Sequence, residues 1–223
     1  MDIADVAPQT VVPARPVGCR PQENWLDSLL ASSSKYPAAP SSAYERMRGV
    51  VALRRDQVEA AEDLVRRRYA WRGYSLSWDS RAIAAPIVTL LAQTGEDVVG
   101  TLTIRPGGAQ GLLAEEAYSA EIERMRHEGR RVGELIRLAM EEHADWRAAL
   151  DALVQSAYVV TRFMHALTDV VIEVNPRHVR FYQRVFGFVV AAAERFCSRV
   201  GAPSVLMLLD LDQFGRRLQS IKL

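Results

Sequence analysis

The 223-residue chain is long enough for one sizeable α/β domain with an N-terminal appendage, and 49% hydrophobic and 25% charged residues match ordinary globular usage, which excludes wholesale disorder and fibrous repeats. Twenty-eight Lys and Arg oppose 27 Asp and Glu, so no whole-molecule field exists for capturing nucleic acid. Cys19 and Cys197 are the only cysteines and stand in no CxxC or Cys/His cluster; neither a disulfide framework nor a zinc site is expected, and a reducing cytoplasm is the expected compartment.

Residues 1–21 carry Pro8, Pro13, Pro16 and Pro21 and lack a basic region followed by an apolar run, so no secretory signal is read there. A second proline-bearing stretch, with Pro37 and Pro40 among serines, makes residues 32–42 a linker, and residues 22–31 between the two form one short helix. The expected organisation is therefore an arm over 1–48 and a folded domain over 49–223. A strand is predicted at 50–53, and Asp56 is the expected N-cap of a helix burying Val58, Ala61, Leu64 and Val65. Residues 86–93 and 97–105 are rich in Val, Ile, Leu and Thr, and the intervening Thr94-Gly95-Glu96 makes them a hairpin. The longest apolar stretch, 83–92, is interrupted by Pro86 and is about half of what spans a bilayer, so no transmembrane segment is expected. A charged helix at 113–128, stopped by Gly129, buries Ile122 and Met125, and a strand follows at 131–140. Helical spacing of Trp146, Leu150, Leu153, Ala157 and Val160 over 145–167, then the apolar strand 169–175, gives a βαβ crossover. Pro176 opens another helix ending at Phe186-Gly187, with final strands at 188–195 and 204–211. The sum is an α/β fold with a mixed sheet of about seven strands and helices on both faces.

The phrase NPRHVRFYQRVFGF from Asn175 resembles the strand-to-helix element of GNAT acyltransferases, whose element order the chain shares. Three further phrases, IVTLLAQTGEDVVGTLTIRP from Ile87, EAYSAEIERMRHEGRRVGELIRLAM from Glu116 and VGAPSVLMLLDL from Val200, resemble the FeeM-like N-acyl amino acid synthases in the same order. Those enzymes are in turn similar to the acyl-homoserine lactone autoinducer synthases, whose Glu-x-Ser-Arg strand motif reads Glu134-Leu135-Ile136-Arg137 here, with Ile136 in place of the Ser. The resemblance implies a GNAT fold and transfer of a long acyl chain from an acyl carrier protein thioester to an amino acid's α-amine, with no permanently bound cofactor; the acyl-phosphopantetheine arm is the donor. Two other readings stand beside it, a coenzyme A dependent N-acetyltransferase and a GNAT-like module that binds without turnover.

Amide formation from a thioester needs a free amine, a stabilised oxyanion and a proton for the leaving thiolate. Glu134 is the candidate base, against the alternative of an ordinary strand carboxylate. Arg137 is the candidate fork for the amino acid's carboxylate, against a surface ion pair. Strict alternation sends these two side chains to opposite faces, so their cooperation requires a bulge or splay. Tyr182 is the candidate acid for the sulfur or else a packed aromatic, and His178, one turn earlier, is an assisting or a structural group. By analogy with the autoinducer synthases, Arg66, Tyr69, Trp71, Tyr74 and Asp79 line or cap the acceptor cleft, against a packed surface loop, and Arg105 joins the substrate-binding set. The four histidines show no metal-binding spacing. Coenzyme A users of this fold keep a glycine-bearing phosphate loop before the helix that follows the central strand; here EEHADWRAA, 141–149, has no glycine and three acids. Two arginine groups qualify as a carrier-protein patch, Arg124, Arg126, Arg130 and Arg131, or Arg177, Arg180 and Arg184. Strands at 87–92 and 204–211 are the candidate walls of an acyl tunnel.

Overall fold

The structure, a computed structural model, describes residues 47–74, 87–142 and 145–221. These belong to a unit spanning Pro37–Leu223. The expected helix at 22–31 and Asp79 lie outside the described residues.

Strand β1 (Met47–Val51) leads into helix α1 (Arg55–Trp71). The helix starts earlier than an Asp56 cap would allow, because the Gln57 side chain accepts the N–H groups of Leu53 and Arg54 at 3.0 and 3.1 Å. Asp56 instead sits in the first turn and holds the Arg54 guanidinium. The expected hairpin forms as β2 (Val88–Thr94) and β3 (Asp97–Arg105), with Gly95 at φ +63° supplying the left-handed residue of a two-residue turn. Helix α2 (Glu115–His127), β4 (Val132–Met140) and α3 (Trp146–Val159) follow, the last widening into a π-turn over Val160–Met164. Then come β5 (Asp169–Val174), a 3₁₀ turn (Pro176–His178) and α4 (Val179–Val185).

The C-terminal part departs from expectation. Residues 188–195 are not one strand but β6 (Val189–Val190) and, separately, β7 (Arg195–Cys197). The N–H groups of Ala191 and Ala192 both aim at the Leu206 carbonyl, at 2.9 and 3.3 Å, so the ladder stops there and the chain turns away. β8 (Ala202–Asp210) is followed by a helix the sequence reading lacked, α5 (Leu211–Ile221), whose start is capped by Asp210 accepting the Gln213 N–H at 2.8 Å.

Among the described residues the sheet has eight strands, ordered β1-β2-β3-β4-β5-β8-β6 with β7 on β8, and of their pairs only β4–β5 is parallel. Helix α3 makes the crossover between them. On one face, Tyr118 and Ile122 of α2 pack with Val132, Val171 and Leu206, while Leu64 and Val65 of α1 pack with Ala139. On the other, Val154 and Tyr158 of α3, Tyr182 of α4 and Phe214 of α5 pack with Ile172, Val174, Met207 and Leu209. No helix among the described residues is long and apolar enough to cross a membrane.

The approach of α3 to the sheet edge depends on Gly49. A Cβ there would stand 2.1 Å from the Ser156 hydroxyl and 2.4 Å from the Ala152 carbonyl oxygen. Gly49→Ala is expected to lower stability by about 1–3 kcal/mol in denaturant titration, and adding Ser156→Ala is expected to restore little, since the clashing carbonyl belongs to the backbone.

Candidate active site

The two parallel strands stay together for only three register pairs. Val132 faces Asp169, Gly133 faces Val170 and Glu134 faces Val171; beyond that point β4 continues against β3 and β5 against β8. A gap thus opens in the middle of the sheet, and Glu134 is the last paired residue of β4 before it. Cross-strand pairing with β3 slips between Thr101 and Thr103, which face Ala139 and Ile136, so Arg137 and Leu138 stand against one residue. Arg137 has φ +56° and is the bulged residue.

That bulge changes the parity of the strand. Gly133 and Leu135 lie toward the α3 side, where a Cβ at Gly133 would meet Leu167 and where Leu135 packs, so Glu134 faces α2. Past the bulge, Met140 lies toward Leu153 of α3 beside Gly100, and Ala139 packs on α1, so Arg137 shares the α1/α2 face with Glu134. The irregularity that joint use of the two residues demanded is present.

Glu134 is 1% exposed. Its Oε2 accepts the Leu113 N–H at 2.7 Å and its Oε1 the Ala114 N–H at 3.1 Å, donors that precede the first turn of α2. Burial raises its pKa from 4.5 to about 7, against the lowering pull of the Leu113 and Ala114 N–H groups and of the Arg199 and Arg105 charges. Arg199 reaches the same peptide from its other side, donating to the Leu113 carbonyl at 2.7 Å and to Glu116 at 2.8 Å. It also pairs with Glu173 of β5, whose second oxygen accepts from Ser204 at 3.1 Å. One guanidinium therefore ties together the α2 entry, β5 past the gap and the segment after β7.

Aromatic and cationic groups gather where the gap opens. The rings of Tyr69 and Tyr74 lie 6.1 Å apart, and the Tyr74 hydroxyl accepts from Arg177 at 3.2 Å. Burial pushes the Tyr69 phenol up, while Arg72 and Arg137 pull it down. Burial also pushes the guanidinium pKa values of Arg72 and Arg137 down. Tyr182 packs with the α3-side core, yet the charges of Tyr69 and Arg72 act on it, so groups from opposite faces of the sheet meet at the opening. Burial holds its phenol well above the usual range, which keeps it protonated.

The expected residues divide. Arg137, Tyr69, Tyr74 and Tyr182 gather at the opening, while Glu134, three residues before Arg137 on β4, holds its carboxylate on the start of α2; His178, buried at the end of the 3₁₀ turn, lies one step from Arg177. Arg66 instead points outward to Asp63, and Trp71 is 47% exposed beneath the Arg68 guanidinium, because both fall on the solvent side of α1. Arg105, directly across from Glu134, spends two donors on the Gly111 and Gln110 carbonyls at 2.8 and 3.2 Å, shaping the loop before α2. β2, one of the two supposed tunnel walls, is separated from the gap by β3 and β4, and its Leu90 and Leu91 are consumed in the core. Arg72, Glu173 and Arg199 escaped the sequence reading. A carboxylate inside the apolar run that follows Asp169 was the available signal for Glu173; Arg199 had none.

A family model described as N-acyl amino acid synthase FeeM matches residues 60–210. The solved structure of FeeM, an N-acyl amino acid synthase from uncultured soil microbes, is 26% identical, with a TM-score of 0.69 over 76% of this chain and 93% of its own. Two others share the fold: an N-acetyltransferase from Lactobacillus plantarum, described as putative (18%, TM-score 0.55, 74% and 98% covered), and spermidine N-acetyltransferase SpeG from Vibrio cholerae (12%, 0.53, 78% and 98%). A search of curated proteins gives no match.

The Glu134 geometry sets a pH signature. Its folded pKa of about 7 exceeds 4.5, so the folded state holds a proton that the unfolded chain has released between those values. The stabilisation is complete below about pH 4.5 and fades as pH rises to about 7, a change on the order of 3 kcal/mol. Glu134→Gln is expected to remove that slope from stability measured by denaturant titration between pH 5 and 8, and Arg199→Met to shift it to higher pH.

Proposed function

The chain belongs to the FeeM family of N-acyl amino acid synthases, and we propose that this acyltransferase moves a long-chain fatty acyl group from acyl carrier protein to the α-amine of an amino acid by direct attack on the thioester. The observation that carries the reading is the opening between β4 and β5 immediately after Glu134, with Arg137 turned by the bulge onto the same face.

An amino acid arrives as an ammonium carboxylate. Its carboxylate pairs with Arg137, flanked by Arg72 and Tyr69; a negative charge arriving beside cations whose pKa burial has lowered relieves part of their desolvation cost. Glu134, directly or through one water, takes the ammonium proton; each carboxylate oxygen keeps a lone pair beyond its backbone bond. The amine attacks the thioester carbon and the C–S bond breaks from the tetrahedral intermediate. Tyr182 supplies the proton that the thiolate takes, and the nitrogen's second proton, lost as the amide forms, returns through water to the Tyr182 phenolate. Backbone groups of β4 that face away from β3 beyond Glu134 have lost their β5 partners, which leaves donors for the oxyanion and for the amides of an extended arm.

Choice of a carrier protein over coenzyme A rests on the start of α3. There Asp145 caps the helix, accepting the Arg147 and Ala148 N–H groups at 3.2 Å each, so the donors that would cradle a pyrophosphate already hold an anion. Cys197, a buried free thiol, suits the reducing cytoplasm in which we place the reaction.

Incubation with long-chain acyl carrier protein and the twenty amino acids, read by mass spectrometry, is expected to yield an N-acyl amino acid; turnover with acetyl coenzyme A alone would refute the donor assignment. In the same assay, Glu134→Gln should cut kcat by about 100-fold and abolish an acidic limb of kcat/KM near pH 7, the limb rising with pH because the base works deprotonated. Arg137→Lys should raise KM for the amino acid about tenfold, since an ammonium replaces a two-pronged fork.

A further inference from the structure

We infer that the outer face of α4, carrying Arg177, Arg180 and Arg184, is the surface on which an acidic carrier protein docks to deliver its acyl arm into the gap. The inference rests on the carrier-protein reading above and narrows it to one side of the molecule.

Three observations converge. The spacing of these arginines, three and then four residues apart, lines them up on one side of the turn and helix, all exposed, while Phe181 is buried and Tyr182 packs into the core. Between Glu173 and Glu194 the sequence holds no Asp or Glu, so nothing local neutralises the stripe. Arg180 and Arg184 form no ion pair with any described residue, and Arg177 spends one donor on a neutral phenol. Arg217 of α5 prolongs the stripe, lying so close to Gly187 that a Cβ there would stand 2.0 Å from its Nη1. Three of the four rival arginines are committed elsewhere: Arg126 pairs with Glu115, Arg130 with Glu128 and Asp169, and Arg131 bonds the Ala166 carbonyl, leaving only the exposed Arg124.

Position separates the start of the stripe from the rival group, although Arg217 at its far end lines the same cavity as Arg130. Arg130 and Arg131 precede β4, at the end of the sheet where β4 and β5 are still joined. The α4 stripe starts at the opposite end of β5, beyond the opening, where its first member touches Tyr74 on the rim of the aromatic cluster, and from there it runs back along the sheet. A carrier bound there stands over the gap, and opposite charges steer it into that orientation.

The test compares the double reversal Arg180→Glu/Arg184→Glu with wild type, using acyl carrier protein and, separately, the same acyl chain on free pantetheine. Arg177 is left intact because it contacts Tyr74. We expect KM for the acylated carrier to rise about tenfold or more, and the salt dependence of kcat/KM to flatten, while kcat/KM for acyl-pantetheine stays within about twofold. The reversal of two exposed arginines elsewhere, Arg55→Glu/Arg124→Glu, should match wild type with both donors. An unchanged KM for the carrier, or equal losses with both donors, overturns the docking surface alone. Wild-type enzyme that accepts acyl-pantetheine and refuses the carrier overturns the donor reading and the surface together.

Discussion

Burial strips Glu134 of its water, and what replaces that water organises the region around it. Two backbone N–H groups at the entry to α2 take the place of solvent, and they are donors the helix itself cannot satisfy. One interaction thereby settles two debts of burial, an anion without water and a helix start without acceptors. Arg199 completes the arrangement by gripping the same Leu113 peptide and reaching across to Glu173. β4, β5, α2 and the segment after β7 are consequently locked together at the level where the sheet parts. Glycines in the preceding loop make the approach feasible: Gly107 and Gly111 adopt φ of +80° and +66°, and a Cβ at Gly107 would stand 2.9 Å from the Val132 carbonyl.

The opening itself has a backbone cost. Holding a non-glycine residue such as Arg137 in the left-handed region costs about 1–2 kcal/mol, and the parted strands forgo ladder hydrogen bonds. What the molecule gains is a place where groups from both faces of one sheet act on one another, as Tyr69 and Tyr182 do. A flat, fully paired β4–β5 ribbon would separate them by a wall of side chains. The cationic character of this opening, with Arg72, Arg137 and Arg177 around two phenols, also distinguishes it from the acid-capped start of α3 on the other side of β4.

Much of this was legible in the sequence because it rests on local rules. The hairpin announced itself through Gly95 between Val- and Thr-rich runs, and the β4-α3-β5 crossover through a change from helical to strand periodicity. Glu134 and Arg137 were identified as a pair, along with the need for an irregular strand to unite them. Legibility failed where partners are remote in sequence. Arg199 acquires its meaning from Leu113, Glu116 and Glu173, the nearest of them 26 residues away. Arg66 and Arg72 sit in the same basic-aromatic run, and only the docking of α1 on the sheet decides that the first faces water and the second the cleft. The missed α5 was a failure of a different kind, since Asp210, Phe214 and Leu218 carry both a cap and a helical stripe, overshadowed by the apolar strand before them.

The bulge at Arg137 makes this strand sensitive to counting. Because side chains alternate, the orientation of the guanidinium depends on the number of residues between it and Glu134, and on the extra one that β3 leaves unmatched. Removing Leu138 alone would restore regular pairing and carry the arginine to the far side of the sheet, with Glu134 and Arg137 both still present. The length of this segment after Arg137, more than its composition, thus fixes which side of the sheet the cleft presents its cation to.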